Sequence, residues 1–307
     1  MTASLVYIHL GGPPPAHLAQ SIAQARRFGD GPIHVVAEAA GLAACPGLRA
    51  HGVTLVAVEE LGRSAAHQRF HAVSPLDRGF RGGFWTFTTE RLFVLERLAR
   101  VLGLEHLVHL ENDVLIYFPV AAMAARFAAH FPRLASTFDS DERCVPGLVY
   151  ARDADALAPL LDDINAALAR PGVRGANDMT LLGWYRRRRG PAFLDTLPIV
   201  PPDYPGPLRG RDPAEYWRGA ECFGGIFDAA AIGQYLGGID ARNAPPGAVA
   251  GGPGFINETC VFDPSRCRFA VAIDGDGRRH PTISAGGRTW PILSLHVHSK
   301  VLAPFLS

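Results

Sequence analysis

The chain has 307 residues, 48% hydrophobic and 19% charged, with a formal net charge of +1. That is enough apolar material for one large core or two smaller ones, and the near-neutral balance argues against a nucleic-acid backbone as partner, which calls for a basic excess. Cys45, Cys144, Cys222, Cys260 and Cys267 form no C-x-x-C pair and are odd in number, which argues against a zinc ribbon or a disulfide framework.

An apolar run over residues 5–10 stops at Gly11-Gly12-Pro13-Pro14-Pro15, after which Leu18, Ile22 and Ala25 recur at helical spacing until Gly29. Strand, tight loop and helix are expected. Two more β-branched strands follow at 33–37 and 53–58. Strands alternating with helices at this spacing predict right-handed βαβ units and a parallel sheet. Between Gly62 and Gly83 the periodicity is lost, and Arg63, Arg69, Asp77, Arg78 and Arg81 sit among glycines, so a long functional loop is expected. A helix begins near 84–88, carries Leu92, Leu95, Leu98 and Leu102 on one face and stops at Gly103. A strand follows at 106–110, and Glu111-Asn112-Asp113 at its carboxyl end interrupts an apolar run that goes on to Ile116.

Helices are expected at 119–131, 153–170 and 177–189, the last ending in four arginines, and strands at 134–138 and 148–151. Beyond Pro198 prolines crowd the chain at 201, 202, 205, 207 and 213, and again at Pro245-Pro246, with Gly251-Gly252-Pro253-Gly254 close behind. Irregular backbone is expected there, with a short helix over 228–236. Two strand-like segments, 267–273 and 290–297, close the chain and are expected to pair as an antiparallel edge on the main sheet. No apolar stretch reaches the ~18 residues of a membrane span and the N-terminus has no basic leader region, so a cytoplasmic protein without a transmembrane segment is expected.

Two patterns carry chemistry. Carboxylates at i and i+2 of an extended segment point to the same side, so Glu111 and Asp113 can share a divalent cation at the carboxyl end of a strand, where open α/β sheets bind ligands. Oxygen ligands of this type suit Mn²⁺ or Mg²⁺, with a phosphate completing the shell. A pair of solvated acids at a strand end explains the local pattern equally well. The second pattern is His296-Val297-His298-Ser299-Lys300, where His296, His298 and Lys300 alternate along what reads as an extended segment. Lys300 is the only lysine among 30 basic residues. A compact ammonium is not replaceable by a planar guanidinium at a tight site, so its survival singles this segment out.

With these residues the chain resembles the GT-A-fold glycosyltransferases, which use nucleotide-sugar donors. The likeness lies in order: an N-terminal α/β half, a D-x-D-like motif ending a central strand, and a C-terminal histidine returning to the metal. The resemblance implies an α/β, Rossmann-like, mixed but mostly parallel sheet flanked by helices, with an irregular acceptor-side region. It implies one catalytic domain over 1–307, with a donor half at 1–118 and an acceptor half at 119–307. It further implies a hexosyltransferase-like enzyme taking a nucleoside-diphosphate sugar, a UDP-sugar favoured, and a saccharide or other hydroxyl-bearing acceptor. The expected metal ligands are Glu111, Asp113 and His298, with His296 as substitute. The expected donor contacts are Tyr7, His9, Gly11, Arg78, Arg81, Asn112 and Lys300. Asp178 is the first choice for the catalytic carboxylate, with Glu221 and Glu258 as backups, and Trp217 is the candidate sugar-stacking face. A sugar nucleotidyltransferase is the enzymatic alternative, disfavoured because Gly11-Gly12-Pro13-Pro14-Pro15 holds no basic residue. A non-catalytic nucleotide- or carbohydrate-binding protein of the same fold is the other alternative.

Overall fold

The structure is a computed structural model, and it describes residues 3–172, 175–243 and 252–307. The expected irregular positions Pro245-Pro246 and Gly251 lie outside them. The first half builds as the periodicity predicts: β1 (Ser4–Ile8), α1 (His17–Phe28), β2 (Ile33–Ala37), α2 (Ala39–Ala43), β3 (Thr54–Ala57) and α3 (Val58–Leu61). Each of β1 and β2 is buried along its whole length, as strands covered on both faces must be. Alternation along β1 then sorts its side chains. Val6 and Ile8 join the core beneath the long helix α5 (Phe84–Leu102), while Leu5 and Tyr7 join the core beneath α1 and α6 (Val120–His130).

The stretch expected as one long loop differs. Ala65–Val73 forms a helix, α4, capped by Ser64, whose side chain accepts the His67 N–H, and only the segment after it is irregular. Its apolar periodicity is weak because two of its inward positions are histidines. Helix α5 ends at Gly103, whose φ of +62° is a left-handed conformation that glycine adopts without a Cβ penalty.

Strands β1 to β3 continue into a seven-stranded sheet of order β3-β2-β1-β4-β7-β6-β8, using β4 (Leu107–Leu110), β6 (Leu134–Ser140), β7 (Arg143–Ala151) and β8 (Leu194–Thr196). Four of its six pairings are parallel; β4 with β7 and β6 with β7 are antiparallel. Helix α5 covers one face together with α7 (Ala154–Leu168) and α8 (Asp178–Arg189). The fold is α/β, a mixed, mostly parallel sheet flanked by helices, as expected.

The strand expected at 106–110 is β4, with the acids at its carboxyl end; beyond them the chain leaves the large sheet and enters a second one at β5 (Val114–Ile116). One expectation about strands is corrected: the closing segments do not edge the main sheet. Helix α9 (Ala220–Phe223), β9 (Ile226–Phe227) and α10 (Ala231–Gly237) lead to β10 (Arg268–Ile273), β11 (Arg279–Ala285) and β12 (Arg288–His296). These strands form the second sheet in the order β10-β11-β12-β5, with β9 also beside β12. The unforeseen β11 lies between the two segments expected to pair. Because β12 runs antiparallel to β5, with His296 opposite Val114, the C-terminal segment arrives beside Asp113.

Candidate active site

Glu111-Asn112-Asp113 is a turn between the two sheets. The Val114 N–H donates to Glu111 O at 3.2 Å, and the flanks are fixed by Glu111 N–H to Gly147 O and Val297 N–H to Asp113 O, both at 2.9 Å. The acids therefore share a side because of the turn, where the sequence suggests strand alternation. Asn112 points the other way: its amide lies 3.3 Å from His9 Nδ1 and its Oδ1 lies 2.9 Å from His17 Nε2.

At the end of β12 the chain turns as well, with Lys300 N–H donating to Val297 O at 2.9 Å and Lys300 at φ +67°. The expected alternation of His296, His298 and Lys300 is thus replaced by a turn, and it divides them. His296 Nε2 lies 3.3 Å from both Glu111 Oε2 and Asp113 Oδ2, and the Lys300 ammonium is bonded to Asp113 Oδ2. His298 Nδ1 instead accepts the Asp240 N–H at 3.0 Å. Its burial, with His296 and Lys300 nearby, pushes its pKa down to about 4, so the ring is neutral. Of the two histidines it is His296 that stands with the acids: Glu111, Asp113 and His296 bring ligand atoms within 4.8 Å of one another.

An arginine that the sequence reading passed over completes the floor. Arg91, on the apolar helix α5, is bonded to Glu111 Oε1 and donates to Asp178 Oδ2 at 2.8 Å. Arg91, Asp113 and Asp178 are all buried. Burial would raise the pKa of Asp113, but Lys300 and His296 hold it well below the ordinary carboxylate value. Glu111 is likewise held low, chiefly by Arg91 against the effect of burial. Asp178 is the exception: burial wins over Arg91 and its pKa is raised. Its Oδ1 has no partner among the described residues. Asn177 caps α8 with its side chain on the Thr180 N–H, so the cap is not made by the Asp178 carboxylate.

Glu111, Asp178, His296, His298 and Lys300 line a cavity of about 400 Å³; Asp113 and Arg91 hold these side chains but are not in its lining. Four aromatic residues also line it: Phe80, Phe84, Trp85 and Phe255. Phe80 and Trp85 are parallel at 6.0 Å between centroids, and Phe84 meets Trp85 edge-on at 4.8 Å. Arg81 also lines the cavity and donates to Asn243 at 2.6 Å.

Several expected site residues fall elsewhere. Tyr7 is a core residue whose hydroxyl meets Ser21 Oγ at 3.1 Å under α1, because strand alternation turns it away from the cavity. Arg78 is exposed and not in the lining. His9 and Gly11 sit at the neighbouring end of β1, where the Gly11 N–H donates to Glu38 at 2.7 Å. Glu221 is exposed and paired with Arg288, and Trp217 and Glu258 are also outside the cavity lining. The tryptophan that lines the cavity is Trp85, in the first turn of α5.

No protein family matches the sequence, and no curated protein matches it. Solved structures do show similarity. Mouse xyloside xylosyltransferase 1, in its apo form, is 11% identical with a TM-score of 0.47, over 64% of this chain and 86% of that one. A protein of Desulfovibrio desulfuricans G20 assigned as a nucleotide-diphospho-sugar transferase is 15% identical with a TM-score of 0.37, over 64% of this chain and 80% of that one. The glycosyltransferase GlyE of Streptococcus pneumoniae TIGR4 is 9% identical with a TM-score of 0.39, over 64% of this chain and 45% of that one. These are likenesses in chain course. Among the described residues, no helix is long and apolar enough to cross a membrane.

Proposed function

We propose that the chain is a glycosyltransferase that moves a sugar from a nucleoside-diphosphate sugar to a hydroxyl-bearing acceptor. The observation behind this reading is the cavity itself, whose lining combines aromatic rings with the carboxylates of Glu111 and Asp178, the imidazoles of His296 and His298 and the Lys300 ammonium. Planar rings suit a base or a sugar face, and the polar floor suits a diphosphate.

The donor set of two carboxylates and one imidazole fits Mn²⁺, or Mg²⁺ with more waters, and Glu111, Asp113 and His296 would hold it. When bound, such an ion supplies positive charge to a diphosphate. The chain's own groups do the rest. In transfer, the bond between the anomeric carbon and the diphosphate oxygen breaks and its electron pair leaves with the phosphate. Lys300 is charged, its pKa raised by Asp113 despite burial, and its ammonium donates to that leaving oxygen as negative charge develops. The acceptor hydroxyl forms the new bond, and its proton goes to Asp178 Oδ1, the free oxygen of a carboxylate whose raised pKa makes it the better base. Arg91 holds the other oxygen and fixes the carboxylate's direction. In this reading residues 1–118 serve chiefly the donor and 119–307 the acceptor, and His298 positions the 240–243 segment through Asp240.

The test is release of nucleoside diphosphate from UDP- and GDP-sugars with Mn²⁺, the UDP-sugars first. Slow release abolished in Asp113→Ala supports the enzyme. Binding without release from every donor, with hydroxyl acceptors present, rejects it in favour of a non-catalytic binding protein.

A further inference from the structure

A second group of ligating side chains lies outside the cavity. His67 and His71 are four residues apart on α4, so their rings share one face of that helix and meet α5 at Glu90. His67 Nε2 and His71 Nε2 each lie 2.8 Å from the same oxygen, Glu90 Oε1, and 3.2 Å from each other. His67 and Glu90 are buried; His71 is partly open to solvent.

We propose that His67, His71 and Glu90 form a zinc site that ties α4 to α5. In a tetrahedral site with bonds of about 2.0–2.1 Å, neighbouring ligand atoms stand about 3.3 Å apart. The two nitrogens already have nearly that spacing, and a small rotation of the Glu90 carboxylate brings its oxygen to it. Without an ion the cluster is awkward. Both Nε2 atoms face one carboxylate oxygen: if both carry hydrogens, those hydrogens oppose each other across 3.2 Å, and if one does not, its lone pair faces the carboxylate. A cation replaces both hydrogens and turns two lone pairs and a carboxylate toward one point. The nitrogen content selects the ion class, since imidazoles suit zinc and its transition-metal neighbours while Mg²⁺ and Ca²⁺ prefer oxygen. The rings are held for the purpose: His67 stacks on His71 at 5.0 Å and on Phe93 at 5.7 Å. Two imidazoles and one carboxylate leave the fourth position for water, and the open side at His71 is where it enters. Because Glu90 precedes Arg91, the zinc also fixes the stretch of α5 that carries the arginine of the candidate active site. The site stands independently of the sugar-transfer reading.

The test uses the full chain, stripped with chelator and loaded with zinc alone. Asp113→Ala removes the other cluster and serves as one background, wild type as the second should that variant not fold. In either, adding His71→Ala is expected to lose one zinc per chain, or to weaken its binding by 100-fold or more. X-ray absorption of the zinc-loaded Asp113→Ala chain is expected to show two imidazoles at about 2.0–2.1 Å. Zinc stoichiometry and affinity unchanged by His71→Ala in a folded background overturn the proposal, as does a single-imidazole shell in Asp113→Ala.

Discussion

Arg91 donates from Nη2 to Asp178 Oδ2 at 2.8 Å, joining a long central helix to the first turn of another 87 residues further along. The same guanidinium is bonded to Glu111, so one buried cation balances the buried Asp178 and the half-buried Glu111. Removing one partner of a buried pair leaves an uncompensated charge and costs about 3–5 kcal/mol. Arg91→Met is therefore expected to lower stability by about that amount in urea unfolding. Adding Asp178→Asn should recover part of the loss, because one of the stranded charges is then gone. A loss below ~1 kcal/mol would mean that the carboxylates protonate or find water, and would remove Arg91 from its assigned place.

Metal affinity is expected to depend on pH through His296. Burial disfavours the charged ring, but Asp113 and Glu111 outweigh it and raise the pKa above the ordinary histidine value. A metal ion needs the ring neutral, so below that raised pKa each binding event must expel a proton. Affinity for Mn²⁺ then climbs with pH, by up to about tenfold per unit, and levels off above the pKa. Calorimetry in buffers of different ionisation enthalpy reads the proton directly. A flat affinity between pH 6 and 9, with no proton released, contradicts the ligand role.

Gly147 is where the site has no room. A Cβ there would stand 2.8 Å from His296 Nδ1 and 3.1 Å from Val114. Both neighbours belong to the packed junction of the two sheets, so Gly147→Ala must push the imidazole or strain β7. We expect a stability loss of about 1–3 kcal/mol and a drop in Mn²⁺ affinity of at least tenfold, read by thermal melts and by metal titration. Unchanged metal affinity in the folded variant would show that the ring's position is not critical.

The parts legible in the sequence were those set by local periodicity. The run 5–37 and the leucine face of α5 declared their elements because one residue type recurs at one spacing, and Gly103 marked the helix end. The acid pair was visible as one of two equal readings, and His296 only as the substitute for His298, because the two histidines share one short segment. What stayed hidden was direction. Nothing local shows that Asp113 belongs to a turn, that Tyr7 faces α1, or that His298 turns to Asp240, because each depends on where a distant strand runs. Arg91 was hidden by its helix: its value comes from Glu111 and Asp178, which the fold brings to it. Helix α4 was lost among arginines, and with it the i, i+4 spacing of His67 and His71.

Lys300 separates charge from shape. The fold seats it in a tight turn with positive φ, with its ammonium on Asp113, and the chain uses arginine at every other basic position. Lys300→Arg keeps the charge, so Asp113 retains a counter-ion and the melting temperature should stay close to wild type. The guanidinium is planar and wider, however, and presents fixed N–H directions where the ammonium rotates three donors freely. If Lys300 meets the leaving diphosphate oxygen, that change misplaces a donor at the point of developing charge. One such donor is worth about 10²–10³ in rate. Nucleoside-diphosphate release is therefore expected to fall by at least tenfold in Lys300→Arg while Mn²⁺ binding persists. A variant that releases product at the wild-type rate would show that only positive charge is needed at this position, and the geometric role of Lys300 would have to be abandoned.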